Sequence, residues 1–228
     1  ASRQRILGHA VYEFRFSSDG TKVFVVAYPS SNDAQNPNGN NNAYFARYDL
    51  SSAWDVSTAV YHSWTEISPS YVDEVYTFDI SSDGQWIIYS NTTDLFIAQM
   101  TTPYDLSTLG TFTSFASVNG GITASEKGIM SGSWGASAVR FNSNGTSLYV
   151  RSYFTTDETA YVKVDLPSAY TLGPVEMKFP NGMYDGGTLD DINLGDYGAF
   201  IVDINFEKNG EKFYVTWNQD GIEDAWDS

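Results

Sequence analysis

This sequence predicts an all-β fold, a β-propeller of four antiparallel four-stranded blades, and three observations predict it. One nine-residue pattern recurs four times along the 228 residues, each copy closes on Asp-Gly or Asn-Gly, and an apolar run follows every glycine. The copies are Tyr12 to Gly20, Tyr76 to Gly84, Ser137 to Gly145 and Val202 to Gly210, with glycines 64, 61 and 65 residues apart. Repetition at this spacing marks a stacked or radial array of one supersecondary unit.

Each copy reads as two strands joined by a corner. Alternating residues precede the glycine, and KVFVVAY, QWIIYS, SLYVRSY or KFYVTW follows it. Asp-Gly and Asn-Gly accept the positive φ angles of tight turns between twisted strands, so the polar cluster SSDG is a reused corner rather than a nucleophile or metal site. A third strand follows in AYFARYDL, DLFIAQM and AYVKVDL. It leads into a second shared element, YDLSSAWDVSTA, with PYDLSTLGT and VDLPSAYTLG as its relatives. Fourth strands are expected in AVYHSWTEI, TFTSFASV and PVEMKFP, and no helix of any length is expected. The fourth repeat has no such strand, and RQRILGH at the N-terminus is expected to supply it, closing the last blade. The chain then forms a single domain with repeats at about 10–67, 72–118, 135–180 and 198–228 plus 1–9. A pair of packed sheets is the competing arrangement. The absent initiator Met and the stop at Trp226-Asp227-Ser228 are read as a fragment of a longer chain.

Composition narrows the function. Twelve basic against 28 acidic residues give a net charge of −16, which disfavours nucleic acid phosphates and anionic lipid as partners and favours cations. The absence of cysteine excludes disulfides, thiol nucleophiles and cysteine zinc sites. No apolar run is long enough for a membrane-spanning helix, so direct membrane insertion is not expected. Hydrolysis by a Ser-His-Asp arrangement would need His9 or His62, and neither sits in a nucleophile motif.

In a propeller the repeated corners share one end of the strands and the variable loops share the other, so the variable end is where a ligand is expected. The candidate receptor-binding residues there are Asn38, Asn40, Asn41, Asp94, Asp157, Trp134, Trp217 and Asp220, the two tryptophans as stacking platforms for a sugar ring. In DGGTLDDINLGD, the residues Asp185, Asp190, Asp191 and Asp196 stand among glycines, and closely spaced carboxylates and carbonyls suit calcium. A solvated acidic loop is the competing reading. Trp54, Trp86 and Trp226 are read as packing residues. Five residues before each glycine stand Arg15, Asp79, Arg140 and Asn205. Where opening strands crowd together these would pair charges between blades, or hold water or an ion.

FSSDGTKVFVV followed by ARYDLSSAWDVSTA resembles a repeat of virion and adhesion proteins of marine bacteriophages and some marine bacterial surface proteins. The size and acidity are most similar to the receptor-binding part of a corticovirus-type vertex spike. The resemblance implies a calcium-associated, non-enzymatic spike or fibre protein at the virion surface, extracellular and oligomeric in the particle. It implies a host cell-surface receptor, glycan or protein, and other virion proteins as partners. No catalytic residue carries over from the repeat. A propeller hydrolase or lyase acting on surface polysaccharide, and a bacterial adhesin, are the alternatives.

Overall fold

A computed structural model describes residues 10–28, 43–67, 75–130, 136–153, 159–174, 199–206 and 213–219. It is all-β, and every strand pair is antiparallel. The first sheet has the order β1 (Ala10–Phe16), β2 (Lys22–Tyr28), β3 (Tyr44–Leu50), β4 (Ala59–Glu66). The second has β5 (Thr77–Ile80), β6 (Trp86–Ser90), β7 (Leu95–Gln99), β8 (Thr113–Ser114). A third sheet holds β9 (Ala136–Phe141), β10 (Ser147–Tyr153) and β11 (Thr159–Asp165), and a fourth pairs β12 (Ala199–Phe206) with β13 (Phe213–Gln219). These are separate open sheets, one per sequence repeat. The expected fourth strand of the third repeat at 175–180 and the N-terminal strand at 1–9 lie outside the described residues.

The three corners among the described residues are built alike. Ser17 and Ser81 accept a hydrogen bond on their hydroxyls from the backbone N–H of Lys22 and Trp86, and Asn142 accepts the equivalent bond from Ser147, at 2.9 to 3.0 Å. Asp19, Asp83 and Asn144 accept from the N–H two residues on. Within these three corners the glycine is the residue with positive φ, +69°, +73° and +71° at Gly20, Gly84 and Gly145. The expected tight turn is therefore a corner with one left-handed residue, in which side-chain acceptors stand in for part of the backbone ladder.

The second shared element explains the glycines. Trp54, Tyr104 and Tyr170 take positive φ, and each donates its N–H to the carbonyl of Gly20, Gly84 or Gly145 at 2.7 to 2.8 Å. Each ring lies on its glycine, where a Cβ would come within 2.2 to 2.4 Å of ring atoms. Asp55 and Asp105 then cap short 3-10 turns at Val56–Thr58 and Leu106–Thr108. The structure thus equates Trp54-Asp55 with Tyr104-Asp105, whereas Tyr48-Asp49-Leu50 belongs to β3. Trp86 packs as expected, stacking on Tyr170 at 5.8 Å between ring centroids, whereas Trp54 covers Gly20 and meets Phe16 at 5.2 Å but stays 59 % exposed.

Alternation along the strands fills the space between sheets. Phe24, Val26 and Phe45 of the first sheet pack with Phe78, Ile87, Tyr89 and Phe96 of the second, while Ile88, Leu95 and Ile97 turn to Val139, Leu148, Val150, Val162 and Val164 of the third. Each fully buried side chain of this kind contributes about 1.5 to 3 kcal/mol.

One expected strand gives way. TFTSFASV forms a strand only at Thr113–Ser114 and then one helical turn, α1 (Phe115–Val118), with Ser114 as its N-cap. The physical reason is the Asp94 carboxylate, which accepts the Ala116 N–H at 3.0 Å and turns the chain out of the sheet.

Candidate functional site

The opening strands lie side by side, β1 against β5, β5 against β9 and β9 against β12. A β-bulge interrupts β1 between Val11 and Glu13, β12 between Ile201 and Asp203, and the β9–β10 register at Ser137. These are equivalent positions of the repeat. A bulge re-aims the residues that follow it, and Glu13 and Arg15, two apart on one face, are turned towards the second sheet.

A buried polar hub results. The Glu13 carboxylate accepts from the Thr77 hydroxyl and the Phe78 N–H, both at 2.7 Å, and from the guanidinium groups of Arg140, at 2.9 Å, and Arg15. Asp79 repeats the stitch one sheet further on, accepting the Phe141 N–H at 2.9 Å. Arg15 lies 3.7 Å from Asp79 through Nε and 5.9 Å from the Phe78 ring centre. Arg140 is only 4 % exposed and also donates to the carbonyls of Val139 and Phe78. Burial pushes the Asp79 carboxyl up to about 7, although Arg15 and the backbone N–H groups pull the other way. Of the column aligned on the glycine, Arg15 approaches Asp79 across the first two sheets, whereas Arg140 pairs with Glu13 rather than with another member of the column. Asn205 stands opposite Tyr214 in the β12–β13 ladder. Glu13 and Thr77, which complete the hub, were absent from the sequence reading; the signal for them is the two-residue period that puts them on the face of Arg15 and Asp79.

The opposite end of the strands carries a loop platform. Asn91 accepts the N–H of Thr93 and Asp94, closing the turn between β6 and β7. Asp94 accepts the N–H of Ala116 through one oxygen and of Ala124 through the other, both at 3.0 Å. Burial pushes its carboxyl up, and these N–H groups oppose the shift. Phe115, Ala124, Ile129 and Met130 anchor the segment in the core between the second and third sheets. Between the anchors, Asn119 to Thr123 form a tip in which Gly120 and Gly121 have φ +69° and +86° with open space around them. Ile122 is 42 % exposed at that tip.

This corrects the reading of Asp94 as a receptor contact: it is 4 % exposed and its carboxylate is spent on the backbone that holds the loop. Asn38, Asn40, Asn41, Trp134, Asp157 and Asp220 lie outside the described residues, as do Asp185, Asp190, Asp191 and Asp196 of the expected calcium loop and the packing residue Trp226. Trp217 lies on β13 opposite Ile201. Among the described residues no group of three or more His, Asp or Glu is placed to hold a metal ion, and no helix is long and apolar enough to cross a membrane. His62 lies 3.9 Å from Asp49 through Nε2 and meets the hydroxyl of its chain neighbour Ser63 at 3.1 Å through Nδ1, with both the histidine and the aspartate exposed. Comparison with protein-family models and with curated proteins finds no match for the chain.

Proposed function

We propose that the chain is a four-bladed β-propeller that recognises a receptor on a cell surface, without catalysis, through the end of its strands opposite the repeated corners. The observation that carries this reading is the contrast between a corner end that repeats in bonding detail and a loop end that displays an exposed tip on a buried anchor. Rigid scaffolds that spend their repetition at one end and their variation at the other are recognition platforms.

Ring closure is supported from three sides. The opening strands follow one another in repeat order. Neighbouring corners are linked, since the Tyr104 hydroxyl donates to the Ser82 carbonyl and meets the Ser18 hydroxyl at 3.0 Å, and the Ser82 hydroxyl reaches the Ser143 carbonyl at 3.3 Å. Val23, Val25, Ala27, Tyr44, Ala46 and Tyr48 face away from the second sheet, yet each is 5 % exposed or less. An open stack would leave that face of its first sheet wet.

The resemblance of the repeat supports placing the protein at the tip of a phage spike or fibre, with calcium at Asp185, Asp190, Asp191 and Asp196. Class averages from electron microscopy are expected to show four lobes around a centre. Fluorescent protein is expected to adsorb to a subset of a panel of marine Gram-negative bacteria, and to lose adsorption when 36–42 are deleted or Asp190 and Asp191 become alanine. Unchanged adsorption of both variants, or release of new reducing ends from envelope polysaccharide, would overturn the reading. Calcium binding predicts a larger rise in Tm with calcium than with equal magnesium; equal shifts mean screening alone.

A further inference from the structure

The hub shares its hydrogen-bond donors unevenly. Among the described residues Glu13 receives two guanidinium groups, a hydroxyl and a backbone N–H. Asp79 receives the Phe141 N–H on Oδ2, with a further backbone contribution from Ile80, while its Oδ1 faces Arg15 Nε across 3.7 Å, beyond hydrogen-bond reach. Both acids are nearly buried, with side chains 15 % and 14 % exposed. Two carboxylates in one dry cluster do not both hold full charge unless each is matched, and among the described residues Glu13 has guanidinium hydrogen bonds whereas Asp79 has only the more distant approach of Arg15.

We propose that the hub holds one exchangeable proton, on Oδ1 of Asp79, and that releasing it draws Arg15 Nε onto that oxygen, so that the junction of the first two repeats responds to pH. Among the described residues, the charged groups acting on Asp79 are Arg15 and Glu13 from β1; Tyr170 of the third repeat interacts with it electrostatically, Arg140 of β9 is engaged by Glu13, and Ile88, its partner on β6, carries no charge. The upward displacement of the Asp79 carboxyl, caused chiefly by burial, agrees with this geometry. The sign of the effect follows. A carboxyl raised from 3.8 to about 7 on folding favours the native state fully below about 4, and that contribution is lost as pH rises to about 7. One proton held more tightly by the native chain makes the unfolding constant rise by up to about tenfold per pH unit inside that window. This device does not depend on the receptor reading.

Carbon-13 NMR of the whole chain labelled at aspartate Cγ tests it, with nitrogen-15 detection of arginine Nε and assignments from Asp79→Asn and Arg15→Lys. The expected result is one aspartate resonance titrating near neutrality, missing in Asp79→Asn, with the Arg15 Nε signal moving along the same curve. Arg15→Gln, which removes the cation that opposes the shift, moves the titration to higher pH. If every aspartate of the wild type titrates below pH 5, the proton is not there and the proposal fails, whether or not the variants fold. If Asp79 titrates while Arg15 Nε stays still, the coupling fails.

Discussion

Gly84 and Gly120 have nearly the same backbone, φ +73° and +69°, and stand in opposite regions of the molecule. At the corner, the Tyr104 ring covers Gly84 so closely that a Cβ would fall 2.4 Å from it; at the loop tip, a Cβ on Gly120 would meet nothing within 4 Å. The first glycine is demanded twice, by φ and by crowding, and the second only by φ. One end of the strands is thus closed to change in side chain and the other is open to it. This division is the physical basis for reading the corners as scaffold and the tip as surface.

Alanine separates the two glycines most clearly. Gly84→Ala is expected to cost about 2 to 4 kcal/mol, strain and overpacking together, while Gly120→Ala costs about 1 kcal/mol from the left-handed φ alone. Urea unfolding of the two variants measures the difference, and equal losses would mean that the ring on the corner adds nothing. Next comes Asp94→Ala. Two backbone N–H groups lose their acceptor in a buried place, a loss of about 2 kcal/mol. Trypsin is expected to cut the variant after Lys127 under conditions that leave the wild type whole, because the platform is released from its anchor.

Tyr104→Phe asks how much of the corner's lock is hydrogen bond and how much is ring. The hydroxyl joins Ser82 and Ser18, and it is partly open to water, so its removal is expected to cost about 1 kcal/mol or less. Tyr104→Ala, measured beside it by urea unfolding, should cost clearly more, since it uncovers Gly84 and the neighbouring Phe24 ring at 6.1 Å.

The corners and their hairpins were legible because Asp-Gly and Asn-Gly are local signals that few backbones satisfy. Three features were not legible, and each was decided at long range. The strand expected through TFTSFASV is overruled by a carboxylate 22 residues earlier, on Asp94. Asp94 itself looks like a loop-end acid in sequence, and only the meeting of Ala116 with Ala124 reveals that it faces inward. In the hub, Arg15, Asp79 and Arg140 were found by aligning on the glycine. Glu13 and Thr77 belong to the preceding column of the repeat, which carries no such signal, and the bulge at Tyr12 brings Glu13 to the same place.

The smallest expected effect on stability belongs to Ile122→Ser. The side chain is exposed, its tip is held by groups that serine leaves in place, and the change should stay within about 0.5 kcal/mol. The Glu126 carboxylate goes on accepting the Thr123 N–H and hydroxyl at 2.9 and 3.0 Å, and Asn119 goes on donating to the carbonyls of Phe115 and Gly173. An apolar side chain displayed on so firmly tethered a tip has little to do for the fold, and its burial would contribute only on binding. If the loop end is the recognition surface and includes this tip, Ile122→Ser lowers cell adsorption at least severalfold while the urea midpoint is unchanged. Loss of stability without loss of adsorption would instead assign Ile122 to the scaffold and move the boundary between the two ends above Asn119.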